Sequence, residues 1–304
     1  MQGTVGMPPL EDMHLSTNGV MLHAVAAGPD DRPLVILLHG FPEFWYGWRH
    51  QIEPLAAAGY RVLVPDLRGY NLSSKPEGFR AYTLDVLAED VLGLVTTFGQ
   101  SKFAIVGHDW GGALAWHLAA RNPDWIDRAV ILNGPHLGAA RAYARSHPGQ
   151  MLKSWYIGLF QVPWLPERLL SASDFAWLRQ ALTRTSQPGA FQADDLEHYR
   201  KAWAQPGALT AMLNWYRALR LQTRSPRAER VAVPVRVIWG DRDPWLERGV
   251  AEASLALCER GEVFHLADAT HWVQHDKPAE VNRLMIEFLR AIAARYGFPG
   301  ITLA

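Results

Sequence analysis

Residues 105–112 read IVGHDWGG, and the spacing of this stretch decides how the rest of the chain is read. An apolar run closes on Gly107, a carboxylate stands two positions later at Asp109, and Gly111 and Gly112 follow. Small-x-nucleophile-x-small is the pattern of a sharp strand-to-helix turn, which exposes its central side chain at the top of a sheet. The glycines permit that turn and the close packing of the next helix. Serine is the usual central residue, so the carboxylate is the feature that needs an account.

A carboxylate at a helix amino terminus is favoured in its charged form by the free amides and the helix dipole. It needs no base to become a nucleophile. Attack on an sp3 carbon gives an alkyl ester on the protein, which splits a difficult hydrolysis into two steps. Cleaving that ester then requires a base for water and an oxyanion hole, with acid and histidine following the nucleophile along the chain. His271, in ATHW at 269–272, suits the base. The orienting acid is Asp241 or Asp243, both in WGDRDP at 239–244, where an Asp past a strand end also suits a turn. Backbone N–H groups of Trp110 and of Phe41, in HGFP at 39–42, match the oxyanion-hole positions, and His39 and His108 flank the site. His271 and His275 are four apart like a metal pair, but no glutamate lies between them, so no metal and no organic cofactor is expected.

Working outward, short apolar runs bounded by Gly, Pro or Asp occur at 34–38 (LVILL), 61–64 (RVLV), 103–106 (FAIV), 129–132 (AVIL) and 235–239 (VRVIW). Runs of this length, rich in Val and Ile, predict strands buried on both faces of a parallel sheet. Helical spacing at 84–98, 113–121 and 278–289 alternates with them, which predicts an α/β fold with helices on both sides of the sheet. Between residues 135 and 229 the alternation stops. Trp, Tyr, Leu and Arg there fall into amphipathic stretches punctuated by Pro163, Pro166, Pro188 and Pro206, which predicts a helical cap over the strand ends. The expected organisation is therefore core over 1–134, cap over 135–229 and core again over 230–304.

The chain has 304 residues with 30 basic and 30 acidic side chains, a balance that predicts no nucleic-acid partner and no anionic membrane partner. A single cysteine, Cys258, leaves no disulfide to form and suits a reducing compartment. Residues 1–15 lack a basic segment followed by a long apolar run, and no window offers about 18 uncharged apolar residues, so a soluble cytoplasmic protein is expected.

Five stretches together make the chain recognisable: HGFPEFWYGWRHQI (39–52), DLRGYNLSSKP (66–76), GHDWGG (107–112), NWYR (214–217) and HWVQHDKPAEVN (271–282). The chain resembles epoxide hydrolases of the α/β-hydrolase fold over nearly its whole length. GHDWGG alone is shared with haloalkane dehalogenases; the combination is specific. The resemblance implies a mostly parallel sheet with an inserted helical cap, Asp109 as nucleophile, His271 as base and Asp243 as its orienting acid. It also implies two cap tyrosines, Tyr156 ahead of Phe160-Gln161 and Tyr216 in NWYR.

Those phenols make chemical sense, because opening an epoxide leaves an alkoxide that departs poorly without a hydrogen-bond donor, and a phenol supplies one. The expected partner is a small apolar epoxide, with Phe160, Trp164 and Trp215 as expected substrate contacts. Oligomeric state is not legible. Haloalkane or haloacetate dehalogenation would use the same triad, but a halide needs weak N–H donors rather than phenols. A haloacetate site would also place arginine where Trp110 stands. A ligand-binding scaffold without catalysis would have lost a triad member.

Overall fold

The computed structural model describes residues 10–221 and 229–295. Residues 1–9, read above for a targeting signal, and 222–228, at the end of the expected cap, lie outside the described residues. The chain enters through two strands that the apolar-run reading does not anticipate, β1 (Glu11–Thr17) and β2 (Val20–Ala27), paired antiparallel. β1 is mostly polar and exposed, as an edge strand can be, so it carries no continuous apolar run. The expected strands follow as β3 (Leu34–Leu38), β4 (Arg61–Pro65), β5 (Phe103–His108), β6 (Ile126–Leu132) and β7 (Val235–Gly240). A further strand, β8 (Gly261–Leu266), closes the far edge half-exposed, which is why its sequence gives a weak signal.

The sheet order is β1-β2-β4-β3-β5-β6-β7-β8, and every pairing from β4 to β8 is parallel. The connections are α1 (Ile52–Ala57), α2 (Leu84–Thr97) and α3 (Trp110–Arg121). Between β6 and β7 come α4 (Leu137–Ser146), α5 (Pro148–Lys153), α6 (Trp155–Phe160), α7 (Leu165–Thr185), α8 (Ala193–Trp203) and α9 (Ala208–Ala218). After β7 follow α10 (Gly249–Leu255), α11 (Val273–Asp276) and α12 (Pro278–Arg295). Pro166 opens α7 rather than breaking a helix. The break falls instead at 172–175, where Ser173, Asp174 and Phe175 take φ of 50°, 54° and 58°.

Alternating side chains of each strand feed two cores. Leu34, Ile36 and Leu38 pack with α2 and α3 on one face, while Val35 and Leu37 pack with α1 and α12 on the other. Burying one such side chain contributes about 1.5–3 kcal/mol, so strands buried on both faces anchor the sheet. Leu38 lies opposite Gly107 in the β3–β5 pairing, which places the loops after these two strands side by side. Gly111 lets α3 come close: a Cβ there would overlap the Leu38 carbonyl. The site thus forms at the carboxyl ends of the parallel strands, where open α/β sheets bind ligands.

Candidate active site

Asp109 stands between β5 and α3 with φ 51° and ψ −115°, a strained conformation for any residue but glycine. Its N–H donates to the Leu132 carbonyl at 3.2 Å, and its own carbonyl accepts from Ala113 N–H at 2.9 Å. Oδ1 accepts the Phe41 N–H at 2.9 Å, while Oδ2 lies 3.7 Å from His271 Nε2. This approach requires glycine at position 40, since a Cβ there would overlap the Asp109 side chain. Trp110 is the first residue of α3, where a backbone N–H has no acceptor within the helix.

Contact distinguishes Asp243 from Asp241. His271 Nδ1 lies 2.6 Å from Asp243 Oδ2, whereas Asp241 pairs with His265 at 2.6 Å and Arg248 at 3.4 Å. Asp243 is buried, and its oxygens are fully engaged: Oδ1 accepts the N–H groups of Trp245 and Leu246, and Oδ2 also accepts from Asn133 Nδ2 at 2.7 Å. Burial works against the imidazolium of His271, but the carboxylates of Asp243 and Asp109 outweigh it and raise the imidazole to about 9. Burial likewise opposes the Asp243 carboxylate, and the charge and hydrogen bond of His271 overcome it, holding Asp243 below the usual aspartate value.

Two supports escape the sequence reading. Asn133, at the end of β6 with φ 36°, ties Asp243 to the β7 terminus by accepting the Gly240 N–H at 2.8 Å. Glu43 is buried and meets His108 Nδ1 at 3.0 Å, His275 Nε2 at 2.7 Å, the Tyr199 hydroxyl at 2.7 Å and Gln274 Nε2 at 3.0 Å. Burial opposes its charge, yet the two histidines hold it well below the ordinary glutamate value. The other nitrogen of His108 lies 2.9 Å from the His271 carbonyl, so this network grips the backbone of the candidate base. Arg49 donates to His275 Nδ1 at 3.0 Å, leaving Nε2–H to donate to Glu43. The signal for Glu43 is its place in HGFPE, but burial and partners become visible only once α8 and α11 close over it.

A cavity of about 360 Å3 opens above Asp109, lined among others by Phe41, Trp110, Tyr156, Phe160, Tyr216 and His271. The rings of Tyr156 and Tyr216, from α6 and α9, stand 6.0 Å apart, and Tyr216 packs edge-on against Trp110 at 5.0 Å and Phe41 at 5.3 Å. Burial, reinforced by the Asp109 and Asp243 charges, pushes the Tyr156 hydroxyl far up. Burial also raises Tyr216, together with Tyr156 and Asp109, against a small opposing hydrogen bond from Trp110.

Two of the three expected substrate contacts lie elsewhere. Trp164 takes φ 55° where the chain turns into α7, and its side chain is 65% exposed outside the cavity lining. Trp215 is buried behind the wall, donating its indole N–H to the Arg68 carbonyl at 3.0 Å and packing on Trp110 at 5.8 Å. Residues 214–217 share one helix, and its cavity-facing position is taken by Tyr216.

Residues 33–278 match the family model of the alpha/beta hydrolase fold. Epoxide hydrolase 3 of Xenopus tropicalis is 36% identical, over 91% of this chain and 77% of its own length. The chain belongs to the epoxide hydrolases of the α/β-hydrolase fold. The AB hydrolase superfamily protein YfhM of Bacillus subtilis is 48% identical over 91% of the chain and 96% of its own. A crystal structure of the Bacillus megaterium epoxide hydrolase with an inhibitor superposes with a TM-score of 0.84 at 33% identity, covering 91% of this chain and all of that one. Among the described residues no helix is long and apolar enough to cross a membrane.

The charged pair in this epoxide hydrolase has a consequence for stability. His271 is raised on folding from 6.5 to about 9, so its contribution is complete below pH 6.5 and is lost as pH rises through about 9. Asp243 is depressed from 3.8, so its contribution is present above that pH and lost on acidification. The thermal midpoint of the wild type will therefore fall more steeply between pH 6.5 and 9 than that of His271→Gln. Calorimetric scans of both proteins across that window test it, and parallel curves would show that the pair is not ionised as described.

Proposed function

We propose that the protein hydrolyses an apolar epoxide to a vicinal diol through a covalent alkyl ester on Asp109. The observation that carries this reading is the pair of phenols, half-buried Tyr156 and buried Tyr216, lining the same cavity as the Asp109 carboxylate. A hydroxyl held far above its ordinary pKa stays protonated and donates, which an epoxide oxygen needs as its C–O bond breaks. In this reading α4 to α9 are the cap that brings the donors over the nucleophile.

Oδ1 of Asp109 is engaged by the Phe41 N–H, which leaves Oδ2 to attack the epoxide carbon from the side opposite the ring oxygen. The new C–O bond forms as the ring C–O bond breaks, and the alkoxide takes a proton from a tyrosine. The phenolate takes a proton back from the His271 imidazolium, and the neutral imidazole, 3.7 Å from Oδ2 in the free protein, then takes a proton from a water that attacks Cγ of the ester. Negative charge builds on the oxygen derived from Oδ1, where the N–H groups of Phe41 and Trp110 receive it. Collapse releases the diol and the Asp109 carboxylate and leaves His271 protonated, as it is in the free protein. The sum is epoxide plus water to diol.

His271 enters this cycle with its proton held by two carboxylates. Alkylation removes the charge of one of them, Asp109, so the imidazole becomes a better base only after the ester exists. Balanced charge and a single cysteine support a soluble protein of the cytoplasm. A halide leaving group gains nothing from two phenols, which weighs against dehalogenation.

The double variant Tyr156→Phe with Tyr216→Phe tests the donors. We expect single-turnover ring opening to slow by about 10^2- to 10^4-fold with an unchanged thermal midpoint, because only hydroxyl groups are removed. Diol formation at the wild-type rate would remove the tyrosines from the mechanism. Unaltered haloalkane turnover alongside lost epoxide turnover would mark the phenols as donors to the ring oxygen alone.

A further inference from the structure

Of the ten large apolar side chains exposed among the described residues, seven fall between positions 151 and 177, so they gather on α5 to α7 instead of scattering. Leu152 is 75% exposed, Trp164 65%, Met151 60% and Trp155 56%; Val162, Leu169 and Trp177 complete the group. Trp155 and Trp177 stack with ring centroids 6.3 Å apart. Both are exposed and both line the cavity above Asp109, so the cavity opens within this apolar face. An exposed apolar face of this kind marks an interaction site.

Charge indicates what covers it. From residue 128 to 166 the chain contains no acidic side chain, while Arg141 and Arg145 stand one turn apart on α4 and Arg168 adjoins Leu169 on α7. These three arginines are exposed, and none forms an ion pair with a described residue. Nearby acids are engaged: Glu167 with Arg217 at 2.8 Å, Glu247 with the Tyr143 hydroxyl at 3.1 Å, and Asp174 with Arg179 and Arg200 at 3.6 Å. Exposed tryptophans and leucines beside unpaired arginines are the composition of helices that lie in a bilayer interface. The neutral total charge of the chain conceals this local excess.

We propose that the face formed by α5, α6 and the start of α7 docks peripherally on an anionic lipid surface, with the cavity mouth turned toward the lipid. Tryptophan and leucine side chains enter the headgroup boundary, and each arginine near the anionic surface strengthens binding roughly fivefold. An apolar compound partitioned into the lipid then reaches the cavity without crossing water. That delivery rests on the epoxide reading above; the docking does not.

Co-sedimentation with phosphatidylglycerol–phosphatidylcholine vesicles, against phosphatidylcholine alone, tests the docking with no epoxide present. The wild type is expected to bind the anionic vesicles and to release as salt rises. Met151→Ser with Leu152→Ser and Trp164→Ser, and separately Arg145→Glu with Arg168→Glu, should each weaken binding at least about tenfold. Neither set lines the cavity, so turnover of a water-soluble epoxide should remain at the wild-type level. Failure of the wild type to bind, or equal binding by both variants, overturns the proposal. A wild-type dimer in sedimentation velocity that the triple serine variant dissociates, with no vesicle binding, would assign the face to a second copy of the chain and overturn it equally. Vesicle binding by a protein that fails to hydrolyse epoxides would leave the docking standing and refute only the delivery.

Discussion

Asp109→Asn will lower epoxide turnover by on the order of 10^4-fold or more while leaving the thermal midpoint close to that of the wild type. The amide keeps the size of the carboxylate and retains a carbonyl oxygen for the Phe41 N–H, now 2.9 Å from Oδ1. It also tolerates the φ of 51° better than alanine, because asparagine visits the left-handed region more readily than other side chains. What it loses, in the proposed cycle, is the nucleophile, since an amide does not displace an alkoxide from carbon. Asp109→Ala combines that loss with backbone strain, so the asparagine variant is the cleaner measurement. Steady-state diol formation beside a melting curve decides the matter. Turnover within tenfold of wild type, in a protein shown by intact mass to carry asparagine, would remove the ester from the mechanism.

The elbow is legible in the sequence because its whole pattern falls within residues 107–112. Gly40, Gly107 and Gly111 are each imposed by a backbone or side chain within touching distance, and short apolar runs identify β3 to β7 because both faces of each strand are buried. β1 and β8 lie at the sheet edges, where exposure dilutes the apolar signal. Side chains on the inserted helices are harder. Tyr216 and Trp215 are neighbours on α9, yet one faces the cavity and the other supports its wall, a difference of one position set by helix phase against α3. Trp164 reads like its neighbours in composition but sits at a left-handed turn that leaves it outside. Glu43 and Asn133 belong to hydrogen-bond networks whose members are as far apart as 43 and 275 in the chain, so nothing near them in sequence reports their role.

His271→Gln will let the first half of the reaction run and stop the second. Attack by Asp109 requires no base, and the proton for the alkoxide comes from a tyrosine in the proposed cycle, so loss of the imidazole leaves ester formation possible. Hydrolysis of the ester has no such substitute, since glutamine cannot take a proton from water. Turnover should fall by about 10^2- to 10^4-fold, and the intact mass after mixing should rise by the whole mass of the epoxide, on a peptide containing Asp109. A haloalkane supplies the control, because any adduct it forms lacks the elements of hydrogen halide. Lost turnover without an epoxide adduct would place His271 before ester formation and reverse the order of steps.

The same residue sets the alkaline behaviour of the wild type. In the free protein two carboxylates hold the imidazole at about 9, but in the proposed cycle the ester neutralises Asp109 and leaves Asp243 as the main group opposing deprotonation. The imidazole should therefore titrate lower in the ester than in the free protein. Stopped-flow rates of ester hydrolysis measured against pH should rise to a plateau with a midpoint below that of the free enzyme. A midpoint that stays at about 9 would mean that Asp109 contributes nothing to holding the proton, and that Asp243 alone keeps His271 charged through the cycle.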